Sequence, residues 1–309
     1  MPILRHDRPH RPGEAGPLHA DRLGDRSAPV LVFVHGITGS RRYFRGRVGP
    51  LAANHRVIIP DLPGFGLSPK PHVDYTPLFF RDSLRRFLED EGIAGRPHVL
   101  VGHSLGAIIA CEYAAAWPEE VPRLVLFNLP RYNSPEEAHR VFWLGSPNYR
   151  KLLGEDSVSE NLAQLRRTGI DLFLRYALRF PFAVYADCRK FTLRSLTSTL
   201  WHSLLSYSVD DVLDRLKPLP ILMVHGQRDQ VAPIENVRPI LPRFPFIRMD
   251  EIADSGHHVF LTHTRTCLNL IEAFEAQTAA AIRSERDASP SMSARRGALR
   301  AAPGEARRS

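Results

Sequence analysis

Short apolar runs of strand length alternate with helical patterns from Pro29 to Asn128, and this alternation constrains the chain more than any other feature. A strand that feeds a helix that feeds another strand implies a mostly parallel sheet with helices on its faces. Pro29 to His35 (PVLVFVH) is a continuous apolar run closed by Gly36, as a central buried strand reads, and His55 to Pro60 (HRVIIP) is a second. Pro77 to Gly92 sets Leu84, Phe87 and Leu88 on one helical face and charges on the other. His98 to His103 is a third strand, Leu105 to Trp117 an Ala- and Ile-rich helix stopped by Pro118, and Arg123 to Asn128 a fourth strand.

The alternation then stops. From Pro130 to Lys217 the pattern is helical and rich in aromatics: Phe142, Trp143, Tyr149, Phe173, Tyr176, Phe180, Phe182, Tyr185, Phe191, Trp201 and Tyr207. Strands resume at Ile221 to His225 and Phe246 to Ile252, and a last helix carries Cys267, Leu270, Ile271 and Phe274 at i, i+3, i+4, i+7 spacing. The expected fold class is α/β, with a helical cap inserted between two strands of one sheet. The expected domains are an N-terminal segment (1–27), partly disordered or forming a short hairpin around Leu18 to Asp25, and an α/β core (28–129 and 218–282). A helical cap (130–217) and a disordered basic tail (283–309) complete them.

Composition narrows the function. No apolar run approaches the roughly 18 residues of a membrane span, and Met1 to Arg26 has no apolar stretch of the secretory kind, so a cytoplasmic protein is expected. Cys111, Cys188 and Cys267 are widely spaced and form neither a metal pattern nor a disulfide framework. The formal net charge is +8, and seven arginines against three acidic residues after Ile282 account for half of it. That tail has almost no bulky apolar residues to offset the entropy of ordering, and no aromatic interleaving, so no nucleic-acid partner is expected.

The chemistry concentrates at Gly102-His103-Ser104-Leu105-Gly106, a G-x-S-x-G run with a strand before it and a helix after it. A serine there stands on a sharp turn with its hydroxyl above the sheet, and the flanking glycines avoid collision with the turn and the helix. A lone hydroxyl is a weak nucleophile near neutral pH; it needs a base, and the base an orienting acid. Downstream, Asp229 follows the apolar strand ending at His225, and His257 follows the final strand in Asp254-Ser255-Gly256-His257-His258. Loops at the carboxyl ends of parallel strands share one edge of the sheet. Ser104, Asp229 and His257 are therefore the candidate catalytic residues, with Asp254 and His258 as local rivals for the acid and the base. The His257-His258 pair lacks the spaced partners of a metal site, so neither metal nor cofactor is expected. An acyl-transfer oxyanion needs two aimed donors, worth about 3 kcal/mol each. The amide of Leu105 and that of Ile37, in the loop His35-Gly36-Ile37-Thr38-Gly39-Ser40, are the candidates. His35 reads as a packed, hydrogen-bonded residue rather than a catalyst.

Taken in order, HGITGS, DLPGFGLS (Asp61 to Ser68), GHSLGA, HGQRDQVAP (His225 to Pro233) and SGHHVF resemble the α/β-hydrolase superfamily, in its capped, serine-nucleophile, esterase- and lipase-like form. The resemblance covers about residues 28 to 280 apart from the cap. It implies Ser104, Asp229 and His257 as a triad, with Ile37 and Leu105 at the oxyanion hole. Some members carry the acid after the strand that precedes the cap; here that strand ends in Asn128, which favours Asp229. Serine in place of aspartate at the elbow argues against epoxide hydrolases and haloalkane dehalogenases. HGITGS and GHSLGA also depart from the C–C hydrolase pattern. The expected activity is hydrolysis of a carboxylic ester, or a thioester, of a small apolar molecule. The alternatives are cofactor-free haloperoxidase-like, acyltransferase or lyase chemistry on the same residues, and a non-catalytic binding protein.

Overall fold

The computed structural model describes residues 15–145, 182–187 and 190–288. Tyr149, Phe173, Tyr176, Phe180 and Cys188, and the tail beyond Ala288, lie outside the described residues. The chain divides into two compact units after Leu268. The first holds a seven-stranded sheet in the order β1-β3-β2-β4-β5-β6-β7. Its strands are β1 (Ala20–Leu23), β2 (Val30–Val34), β3 (Arg56–Pro60), β4 (His98–His103), β5 (Leu124–Phe127), β6 (Ile221–Gly226) and β7 (Ile247–Ile252). All neighbours run parallel except β1, which pairs antiparallel with β3.

Hydrophobic sequence explains the layering. Residues 31–34, 57–60, 98–103 and 221–226 are buried throughout, because helices cover both faces of the sheet. Between β2 and β3 lies the short helix α1 (Arg42–Arg45), which buries Tyr43 and Phe44. Helix α2 (Pro77–Asp90) starts where the Thr76 hydroxyl accepts the Phe79 amide, with Pro77 in the first turn. Its stripe of Phe80, Leu84, Phe87 and Leu88 is buried, at roughly 1.5–3 kcal/mol per side chain. Helix α3 (Leu105–Ala116) is buried nearly all round, packed between α2 and strands β4 and β5.

Strands β5 and β6 are hydrogen-bonded neighbours, from Leu124 opposite Ile221 to Phe127 opposite Val224. The chain between them carries helices α4 (Pro135–Gly145), α5 (Phe182–Asp187), α6 (Leu193–Thr199), a π-helical turn over Leu200–Leu205, and α7 (Val209–Arg215). Phe191 and Tyr207 of this segment pack on the hydrophobic core, whereas Phe182 and Trp201 are exposed. After β6 come α8 (Ile234–Val237), β7, α9 (Val259–Thr262) and α10 (Thr264–Ala288).

Two expectations are corrected. The segment around Leu18 to Asp25 forms no local hairpin: β1 joins the sheet edge against β3, where an antiparallel strand needs no crossover. And the last helix continues past Arg283 to Ala288. The Ser-Glu-Arg-Asp sequence there lacks glycine and proline, and the first residue that opposes a helix is Pro290.

The turn from β4 into α3 leaves no room for side chains beside it. A Cβ on Gly106 would lie 2.1 Å from the Val34 carbonyl oxygen, backbone that cannot yield without moving β2. Gly106→Ala is therefore expected to cost about 1–3 kcal/mol or more in urea denaturation. An unchanged midpoint would show that α3 can slide on the sheet.

Candidate active site

Three residues converge at the carboxyl edge of the sheet. Ser104 follows β4 and holds φ 55° and ψ −120° at the head of α3. That is a left-handed backbone, which an L-residue adopts only under constraint from its surroundings. Asp229 follows β6 and His257 follows β7. The His257 Nε2 lies 3.0 Å from Ser104 Oγ, and its Nδ1 lies 2.9 Å from Asp229 Oδ2. An ionised carboxylate only accepts, so Nδ1 carries the proton and donates to Asp229, which leaves Nε2 free to accept from the serine hydroxyl.

Asp229 is buried, and desolvation alone would favour its neutral form. The charge of His257 and hydrogen bonds from His225 and His257 outweigh this and hold its carboxyl well below the usual carboxylate range. Its Oδ1 accepts the amides of Val231 and Ala232, both at 2.9 Å. Its Oδ2 also accepts Asn128 Nδ2 at 2.7 Å.

The local rivals lie elsewhere. Asp254 is exposed and faces His263 Nε2 at 3.1 Å. The ring of His258 stands 5.4 Å from that of His257, and its Nδ1 is 3.5 Å from Tyr43 Oη. Burial, reinforced by the His257 charge, pushes its pKa down to about 3.

The loop after β2 abuts the serine. A Cβ on Gly36 would come within 3.1 Å of Ser104 Cβ, so glycine lets this backbone approach the hydroxyl. Gly39 donates to the Gly36 carbonyl to close a turn, and the β-branched Thr38 sits within it at φ 56°, a conformation that favours glycine. Among the described residues, no protein group takes up the amides of Ile37 or Leu105, the two candidate oxyanion donors. His35 is buried; its Nδ1 donates to the Gly36 carbonyl and its Nε2 accepts the Leu62 amide, so it clamps the loop to the β3 exit.

Some supporting residues were not foreseen. His103 donates from Nε2 to the His257 carbonyl oxygen at 2.7 Å and stacks on Tyr43 at 4.5 Å. Burial, and after it the repulsion that a positive charge would meet beside His257, holds it neutral, its pKa well below the ordinary imidazole value. From the inserted segment, Asp187 accepts Ser40 Oγ at 2.9 Å and pairs with Arg42 at 3.4 Å, which ties α5 to the Gly36-bearing loop. Neither contact has a periodicity or motif signature. Among the described residues, no group of three or more His, Cys, Asp or Glu could hold a metal ion, and no helix is long and apolar enough to cross a membrane.

The alpha/beta hydrolase family matches this chain over residues 31–268, and the chain belongs to it. Cis-3-alkyl-4-alkyloxetan-2-one decarboxylase of Shewanella oneidensis is 28% identical, over 83% of this chain and 85% of its own. Lipase 1 of Psychrobacter immobilis is 28% identical, over 76% of this chain and 73% of its own. In structure, a hydrolase from Pseudomonas aeruginosa superposes with a TM-score of 0.68 at 19% identity, covering 83% of this chain and 93% of that one, which is a likeness of fold.

The buried carboxylate has a signature in stability. Because its pKa is depressed on folding, Asp229 stabilises the protein above its unfolded pKa of about 3.9, and that contribution is lost as pH falls toward the lower folded value. Asp229→Asn, which keeps an acceptor for Val231 and Ala232, should lower stability at pH 7. It should also flatten the fall in stability below about pH 4, measured by urea denaturation across pH. Parallel curves for the two proteins would place the folded pKa of Asp229 near its unfolded value.

Proposed function

We propose that the protein is a serine hydrolase that cleaves a carboxylic ester, or a thioester, through an acyl-enzyme. The observation that carries this reading is the unbroken line Asp229 Oδ2 – His257 Nδ1, His257 Nε2 – Ser104 Oγ, at 2.9 and 3.0 Å. As His257 Nε2 accepts the hydroxyl proton, Ser104 Oγ attacks the acyl carbon, and Asp229 stabilises the imidazolium. The oxyanion points to the amides of Ile37 and Leu105. Collapse expels the alcohol or thiol, which takes the proton from His257. Water then repeats the sequence on the acyl-enzyme, with His257 again the base, and releases the acid and Ser104.

An ester substrate draws support from the lipase of Psychrobacter immobilis and from family membership. The decarboxylase relative favours a second reading. Its substrate, by its name, is an oxetan-2-one, which is a four-membered cyclic ester. Loss of carbon dioxide from such a ring breaks its C2–C3 and O1–C4 bonds and leaves an alkene, whereas acyl transfer to Ser104 breaks the C2–O1 bond and, after water attacks the acyl-enzyme, leaves a hydroxy acid. Product analysis on a dialkyl β-lactone separates the two.

A fluorophosphonate probe should label the wild type at Ser104 and leave Ser104→Ala unlabelled. The variant should lose at least about 10³ in kcat/KM on p-nitrophenyl esters, since one missing member disables the set, while its Tm stays within about 2 °C, as the hydroxyl adds little packing. Labelling of the variant, or turnover near the wild-type rate, would refute the nucleophile.

A further inference from the structure

Asn128 is the first residue after β5, fully buried, with φ 49°. Its backbone amide donates to the Val224 carbonyl at 3.0 Å, so the residue is held at the end of the β5–β6 ladder. Its side-chain Nδ2 donates to Asp229 Oδ2 at 2.7 Å and to the Gly256 carbonyl at 3.2 Å. The first acceptor is the carboxylate oxygen that also receives His257 Nδ1, and the second belongs to the residue just before His257. One amide thus joins the loop of the acid to the loop of the base. The opposite amide orientation would set the side-chain oxygen against two acceptors, the Asp229 carboxylate and the Gly256 carbonyl.

We propose that Asn128 is a positioning residue, which fixes the Asp229 carboxylate so that Oδ2 faces His257 Nδ1 and thereby sets the tautomer that lets Nε2 accept from Ser104. This rests on the reading of Ser104, His257 and Asp229 as the catalytic set. Asparagine suits the position where aspartate would not: a second carboxylate 2.7 Å from the first, out of water, would hold a shared proton or repel. The charge state here reads out on His257. The titratable groups facing it or its carboxylate are Asp229, His103, His258, His225 and Tyr132, with Tyr43 behind His103 and His258. Burial keeps His103 and His258 neutral and raises the Tyr132 phenol, so none of these three masks a new charge at position 128.

Two variants separate positioning from packing. Asn128→Gly removes the amide and suits the left-handed backbone; Asn128→Asp keeps the shape and changes the charge. For p-nitrophenyl butyrate, Asn128→Gly should lower kcat about ten- to hundredfold with KM little changed, as loss of a buried charge-assisted hydrogen bond implies. Asn128→Asp should add to the kcat/KM profile a titration that wild type lacks, because the two carboxyls would share one proton and lose it as pH rises. Fluorophosphonate labelling rates across pH give the same profile without a chosen ester, and Tm reports folding of each variant. A folded Asn128→Gly within twofold of wild-type kcat, or a folded Asn128→Asp whose pH profile has the wild-type shape, would overturn the proposal. Wild type that the probe fails to label at Ser104 would instead refute the hydrolase reading itself, and this one with it.

Discussion

A single buried carboxylate oxygen, Asp229 Oδ2, receives hydrogen bonds from residues that follow two other strands: Asn128 after β5 and His257 after β7. The other oxygen, Oδ1, is taken by the amides of its own loop. A buried carboxylate left without partners costs several kcal/mol, and removing one partner of such a group is far more damaging than never burying it. The arrangement at the carboxyl edge of the sheet is thus mutually dependent. The loops after β5, β6 and β7 each satisfy part of one charge, and that charge fixes the proton on His257 Nδ1.

The sheet makes this convergence available. Because β4, β5, β6 and β7 run parallel and adjacent, their carboxyl ends present Ser104, Asn128, Asp229 and His257 along one edge. The strained Ser104 backbone is held by its surroundings: its amide donates to the Phe127 carbonyl, and the glycine that follows the elbow lets α3 press on β2. Contacts from the other side add to this. Tyr43 from α1 stacks on His103, and Asp187 from the inserted segment grips Ser40, so the loop bearing Ile37 is braced from both directions.

Much of this was legible in the sequence, for reasons that differ by element. The inner strands read as unbroken apolar runs because both faces are covered, and α2 read from its stripe of Phe87, Leu84 and Leu88. Ser104 was legible because the elbow imposes glycine on both sides of it. Asp229 and His257 were legible only through their place after strands, since their spacing along the chain is unconstrained. What stayed hidden depends on long-range contact. β1 pairs with β3, and the whole of β2 and the loop after it lie between them in the chain, so no short turn marks the pair. The amide of Asn128 meets a carboxylate far along the chain, and His103 reaches the carbonyl of His257. Single polar residues in such contacts have no period, and only the folded sheet brings their partners together.

If Ser104, His257 and Asp229 act as one unit, a double-mutant cycle exposes it. Residues that act together are grossly non-additive, because once the nucleophile is lost, its base and acid have no further step to assist. Measured as kcat/KM on one p-nitrophenyl ester, the Ser104→Ala/Asp229→Asn double variant should be no slower than Ser104→Ala alone. A double variant slower by the full product of the two single losses would contradict the account and show that Asp229 serves some step that does not pass through Ser104.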